Sequence, residues 1–103
     1  MVEPTSGSRW RSTVCATQVI VVHTGGDPVD LRCGGQAMVP HDEAGEPEGT
    51  PAAGLDGGTL VGKRYTDAAG TIELLCTKPG AGTLTVGGEV LAVKGAKPLP
   101  ASD

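Results

Sequence analysis

Apolar residues in this chain come in short runs cut by glycine, proline, aspartate and threonine, and the runs have the period of strands. Thr17 to His23 is dominated by Val and Ile, the side chains that suit a pleated, half-buried surface. Val29, Leu31 and Cys33 then alternate with Asp30 and Arg32, which predicts a strand with one buried face. Between the two runs stand Gly25, Gly26, Asp27 and Pro28, all turn formers. Cys33-Gly34-Gly35 turns the chain again, and Met38 and Val39 return it to the core. Further strands are predicted at Trp10 to Cys15, Leu60 to Tyr65 and Thr71 to Thr77, the last with Ile72, Leu74 and Cys76 on one face. Thr83 to Val86 and Glu89 to Lys94 flank Gly87-Gly88, a two-residue hairpin signal that sets Leu84 opposite Leu91 and Thr85 opposite Val90. No apolar stripe of helical period exceeds two turns, so the expected fold is all-β.

Between these runs the character changes. Residues 41–58 carry Asp42, Glu43, Glu46, Glu48 and Asp56 with no Lys or Arg, and Pro47 and Pro51 interrupt regular structure. This reads as a solvated acidic loop; no EF-hand spacing is present, which argues against calcium. Residues 1–9 and 97–103 read as tails, leaving a first β half at 10–40 and a second at 59–96. The second half echoes the first: His23 to Gly26 followed by Val29 to Cys33 resembles Tyr65 to Gly70 followed by Ile72 to Cys76, with Asp30 and Glu73 as solvent-face acids in each copy.

Composition narrows the function classes. The 17 glycines and 8 prolines in 103 residues fit many turns and few helices. Phe is absent, so the core must be aliphatic and small, a condition that metal, disulfides or a partner chain usually relieves. A net charge of −4 with scattered cations argues against nucleic-acid binding. No run reaches membrane-spanning length and no signal-type apolar segment opens the chain, so a soluble cytoplasmic protein is expected.

Around the first half the residues also carry a resemblance. Ser12-Thr13-Val14-Cys15, the apolar run Val19 to Val22, Gly25-Gly26, and then Leu31, Cys33, Gly35 and Met38 resemble desulforedoxin and the N-terminal domain of desulfoferrodoxin. That family's pattern is C-x-x-C, a strand, a glycine turn and L-x-C-C-G-x-x-M. The resemblance implies a small desulforedoxin- or rubredoxin-like β-hairpin domain, here with two halves about a pseudo-twofold axis, because desulforedoxin is a homodimer of such units. It also implies a four-thiolate iron site, of which this chain keeps Cys15 and Cys33 and replaces the other two ligands by Ser12 and Gly34. Only His23 and His41 are present, too few for the second iron site of desulfoferrodoxin. The family fold brings Cys15 and Cys33 together, where a disulfide is conceivable but disfavoured in a reducing compartment.

Taken by themselves, Cys15, Cys33 and Cys76 read first as small buried hydrophobes. The sharper alternative is a remodelled Zn or Fe site in which Cys15, Cys33, Cys76 and His23, or His41, act as ligands. No nucleophile–base pair, P-loop, dinucleotide fingerprint or metalloprotease motif is found. The expected function is a non-catalytic module without a cofactor, acting as accessory subunit or docking partner of an enzyme or through self-association, with no nucleic acid or membrane as partner. The alternative is a small metalloprotein for structure or electron transfer.

Overall fold

The computed structural model describes residues 5–25, 28–43 and 45–93. Ten short strands run in chain order: β1 (Arg9–Arg11), β2 (Gln18–Thr24), β3 (Leu31–Cys33), β4 (Gln36–Ala37), β5 (Val39–Pro40), β6 (Arg64–Thr66), β7 (Ile72–Lys78), β8 (Leu84–Val86), β9 (Glu89–Val90) and β10 (Ala92–Val93). They form two antiparallel sheets. The larger has the order β10-β6-β7-β2-β1-β5, the smaller β4-β3-β8-β9. The described residues contain no helix, and so none long and apolar enough to cross a membrane.

Each sheet is built around a pairing between distant segments. β2 and β7 pair with Val21 opposite Leu74 and Val19 opposite Cys76. β3 and β8 pair with Leu31 opposite Val86 and Cys33 opposite Leu84. Local hairpins extend these central pairs outward. Gly34 and Gly35 join β3 to β4 with φ of 67° and 90°, and Gly87 and Gly88 join β8 to β9 with 60° and 85°. Two successive left-handed residues are what a tight type I′ connection requires, and glycine adopts them without a Cβ penalty. The hairpin at Gly87-Gly88 has the expected register: Thr85 lies opposite Val90, and the Leu91 N–H reaches the Leu84 carbonyl at 3.0 Å.

One apolar cluster draws on both sheets, with Val19, Val21, Leu74 and Cys76 from the larger and Leu31, Cys33 and Leu84 from the smaller. The alternation along β2 buries Val19 and Val21. An irregularity between Val21 and His23 then breaks the register, and Val22 is left exposed.

Several expectations need correction. The run Leu60 to Tyr65 is not one strand. Gly62 sits at φ 79° in a turn closed by Lys63 N–H to Leu60 C=O, so the strand begins only at Arg64 and leaves Leu60 and Val61 59% and 58% exposed. Trp10 to Cys15 yields only β1, because the chain turns at Ser12. Glu73 is not on a solvent face but only 6% exposed, since β7 lies between two neighbours and the Arg64 guanidinium approaches the Glu73 carboxylate at 3.4 Å. The acidic segment is largely exposed, yet it is tied down. Glu48 N–H bonds Thr13 C=O, Ala52 N–H bonds Gly34 C=O, and Leu55 C=O accepts from Thr83 N–H, each at 2.8 to 2.9 Å. In the stretch read as an N-terminal tail, Gly7 N–H bonds Val21 C=O at 2.7 Å and Arg9 already belongs to β1; residues 1–4 lie outside the described residues. So do Gly26, Asp27, Lys94 and the tail at 97–103. Finally, the segments His23 to Cys33 and Tyr65 to Cys76 are not equivalent. β2 and β3 lie in different sheets, whereas β6 and β7 are adjacent hairpin strands.

Candidate thiol site

The chain leaves β1 at Arg11 and turns sharply before β2, and the turn is organised by Ser12. Its N–H bonds the Thr17 carbonyl at 2.9 Å, and its buried hydroxyl oxygen accepts the N–H groups of Val14 and Cys15, both at 3.1 Å. A serine side chain that bonds backbone two and three residues on is a local motif that fixes a turn. It places the Cys15 sulfur beside Ser12 Oγ, at 3.2 Å. The neutral Cys15 thiol donates to that oxygen; once it is a thiolate, the Ser12 hydroxyl donates to the sulfur instead.

Tertiary structure completes the setting. Thr17 Oγ1 lies 3.3 Å from Cys15 Sγ and 2.9 Å from the hydroxyl of buried Thr59, which in turn accepts the Gly80 N–H at 3.0 Å. The Gly82 N–H donates to Cys15 Sγ at 3.3 Å. β3 ends at Cys33, whose sulfur lies 3.7 Å from that of Cys15. The next residue, Gly34, anchors the arrangement by donating to Thr83 C=O at 3.0 Å. Gly82 is seated against both sulfurs: a Cβ there would lie 2.8 Å from Cys33 Sγ and 3.2 Å from Cys15 Sγ.

The two thiols are electrostatically unlike. Burial acts to raise the Cys15 pKa, but hydrogen bonds from the Ser12 and Thr17 hydroxyls and from backbone N–H groups outweigh it and bring the value to about 7. Cys33 is fully enclosed, and desolvation, helped by the charge on Cys15, pushes its thiol up to about 12. Cys15 is partly exposed and lines an open cleft of about 430 Å³ whose walls include Arg11, His41 and Lys78. Arg11 braces that cleft by donating to the carbonyls of Ser12 and Glu43, at 3.3 and 3.2 Å.

Of the four residues considered as metal ligands, the structure brings Cys15 and Cys33 into contact. Cys76 is a buried residue of β7 whose thiol donates to the Lys78 carbonyl at 3.2 Å and whose pKa is raised by burial. His23 lies opposite Glu73 on the exposed part of β2 and lines a separate concavity of about 630 Å³ with Arg64 and Asp67. His41, the other histidine considered, lines the Cys15 cleft. Sequence reasoning missed Thr17, Thr59 and Gly82, which come from segments far apart in the chain. Ser12 was read only as a replaced ligand position; the tendency of serine to bond backbone two or three residues on is the signal that could have found its turn. No protein-family model, curated protein or solved structure matches this chain.

Proposed function

We propose that this chain is an internally duplicated, desulforedoxin-like β module whose four-thiolate centre is reduced to two thiols, and that it serves an enzyme as a non-catalytic accessory or docking subunit. The observation that carries the reading is convergence. Ser12, Cys15 and Cys33, three of the positions that the resemblance equates with iron ligands, meet at one point, with Cys15 Sγ 3.2 Å from Ser12 Oγ and 3.7 Å from Cys33 Sγ.

Duplication is supported by both sheets. Exchanging β1 to β5 for β6 to β10 leaves the strand order of each sheet unchanged. The exchange lays Arg9-Trp10-Arg11 over Arg64-Tyr65-Thr66, and Leu31 to Met38 (LRCGGQAM) over Leu84 to Leu91 (LTVGGEVL). It also turns the pair Val21–Leu74 into Cys76–Val19, and Leu31–Val86 into Leu84–Cys33. The bond from Met38 N–H to Leu31 C=O recurs as Leu91 N–H to Leu84 C=O, both at 3.0 Å. Asp67 takes the place of Ser12 and likewise caps a turn, accepting the Thr71 N–H at 2.8 Å; Gly70 and Val86 stand where Cys15 and Cys33 would be. The two halves have thus diverged, and one kept its thiols.

The donor set does not fit the family's metal. A tetrahedral soft-metal site takes four thiolate or imidazole ligands. Here two thiols are joined by neutral hydroxyls, the Gly82 N–H points at one sulfur, and no group of three or more His, Cys, Asp or Glu is arranged to hold an ion among the described residues. For a docking role the candidate contacts are the large apolar side chains left in solvent among the described residues: Val22, Leu60, Val61 and Val90.

Metal analysis with an absorption spectrum of protein purified under reducing conditions tests the reading. A colourless protein with clearly less than one Zn or Fe per chain is expected. One tightly held equivalent, lost together with the fold on adding a chelator, would instead establish a small metalloprotein, the alternative that the closeness of Cys15 and Cys33 favours.

A further inference from the structure

We propose that Cys15 and Cys33 form a reversible dithiol–disulfide site, with Cys15 as the attacking thiolate and Cys33 as the resolving thiol, and that its oxidant is a small-molecule disulfide. The inference stands apart from the accessory-module reading and needs no partner protein.

Three observations carry it. The first is distance. The sulfurs are 3.7 Å apart, and bond formation at about 2.05 Å requires a relative shift smaller than a methyl group. Gly82 keeps the space beside the pair free of a side chain. The second is unequal access. Cys33 is 0% exposed, whereas Cys15 opens on the cleft, so an oxidant from solution meets Cys15 first. An accessible thiol backed by a second one within reach is the arrangement that lets a mixed disulfide resolve. The third is charge placement. Ser12, Thr17 and the Gly82 N–H converge on the Cys15 sulfur and favour its thiolate, the form that attacks. The titratable groups that line the cleft with this sulfur are Arg11, His41, Lys78, Glu43 and Glu46. The Cys76 thiol instead donates to the Lys78 carbonyl at 3.2 Å.

The exchange balances in two steps. The Cys15 thiolate attacks one sulfur of RSSR, forming Cys15–S–S–R and releasing RS⁻. The Cys33 thiol then gives its proton to solvent or to the departing thiolate and attacks Cys15 Sγ, forming the Cys15–Cys33 bond and releasing the second RS⁻. The protein is oxidised by two electrons and one RSSR is reduced to two RSH.

The test uses reduced full-length protein and oxidised glutathione at neutral pH, followed by thiol counting and peptide mapping. Two of the three thiols are expected to disappear with no lasting glutathione adduct, a Cys15–Cys33 linked peptide to form, and Cys76 to stay free. Cys33→Ser is expected to trap one glutathione on Cys15, and dithiothreitol to reverse both products. Three unreacted thiols, a persistent adduct on the unmodified chain, or a bridge through Cys76 would each overturn the proposal. Should Cys33→Ser fail to fold, the peptide map of the unmodified chain decides alone.

Discussion

Replacing Gly82 by alanine tests the architecture of the site with one methyl group. Gly82 is not among the left-handed glycines, so backbone strain does not enter and the effect is steric. The new Cβ would lie 2.8 Å from Cys33 Sγ, 3.0 Å from Gly34 N and 3.2 Å from Cys15 Sγ. The first contact is with a fully buried sulfur and the second with backbone pinned by a 3.0 Å bond to Thr83, so neither can give way cheaply. Inserting a methyl into a filled core costs about 1–3 kcal/mol, and the gain from a less flexible unfolded chain returns about 0.4–1 kcal/mol. A net loss of about 1–2 kcal/mol follows, or roughly 4–16 °C in Tm for a domain of this size. Gly25→Ala is the matched control. It also lacks a left-handed φ, and among the described residues its Cβ would meet only Thr71 O at 3.8 Å, so a neutral or slightly stabilising change is expected. Urea unfolding of both variants under reducing conditions measures the difference. Gly82→Ala as stable as Gly25→Ala, with unchanged m-values, would show that the sulfurs are not packed against Gly82.

Three more outcomes are expected. Ser12→Ala removes a hydrogen-bond donor to Cys15 and the acceptor for two N–H groups, so the midpoint of iodoacetamide reactivity should move above its starting value of about 7 and stability should fall by about 1 kcal/mol; an unmoved midpoint would refute the Ser12 contact. Stability should rise from pH 7 towards 9, because the folded pKa of Cys15 lies below the ordinary 9.0 and its contribution is lost as pH falls through about 7; it should decline above 9, because Cys33 is raised to about 12 and its contribution is lost as pH rises towards that value. Cys33→Ala should weaken that alkaline decline in a urea-midpoint profile and cost about 1–2 kcal/mol near neutrality through lost packing. Shortening the acidic segment within 42–47 should change Tm little, whereas deleting 51–56 should lower it by several degrees, since it removes the Ala52–Gly34 and Thr83–Leu55 bonds; equal melting of the two deletions would show that those bonds contribute nothing.

The sequence by itself determined the strand character and the local turns. Alternation at Ile72, Leu74 and Cys76 placed three side chains on the buried face of β7, and Gly87-Gly88 specified a hairpin with Thr85 opposite Val90. Such features depend on residues a few positions apart, so period and glycine placement suffice to read them. Tertiary structure decided which distant strands pair. β2 meets β7 across residues 25–71, and β3 meets β8 across residues 34–83. That choice buried Glu73, which local alternation places in solvent. It also assembled the thiol site. The Ser12–Cys15 contact is local, yet Ser12 was read only as a replaced ligand, and the meeting of Cys15 with Cys33 was expected only from the family resemblance. Gly80 and Gly82 arrive at the site because the β2–β7 pairing carries the chain after β7 back over the Ser12 turn, and Thr59 is held there by its bonds to Thr17 and Gly80. The reactivity of Cys15 therefore depends on neighbours that no spacing in the chain could announce. Hydrogen-bond donors and desolvation act through space, and only the folded chain fixes those distances.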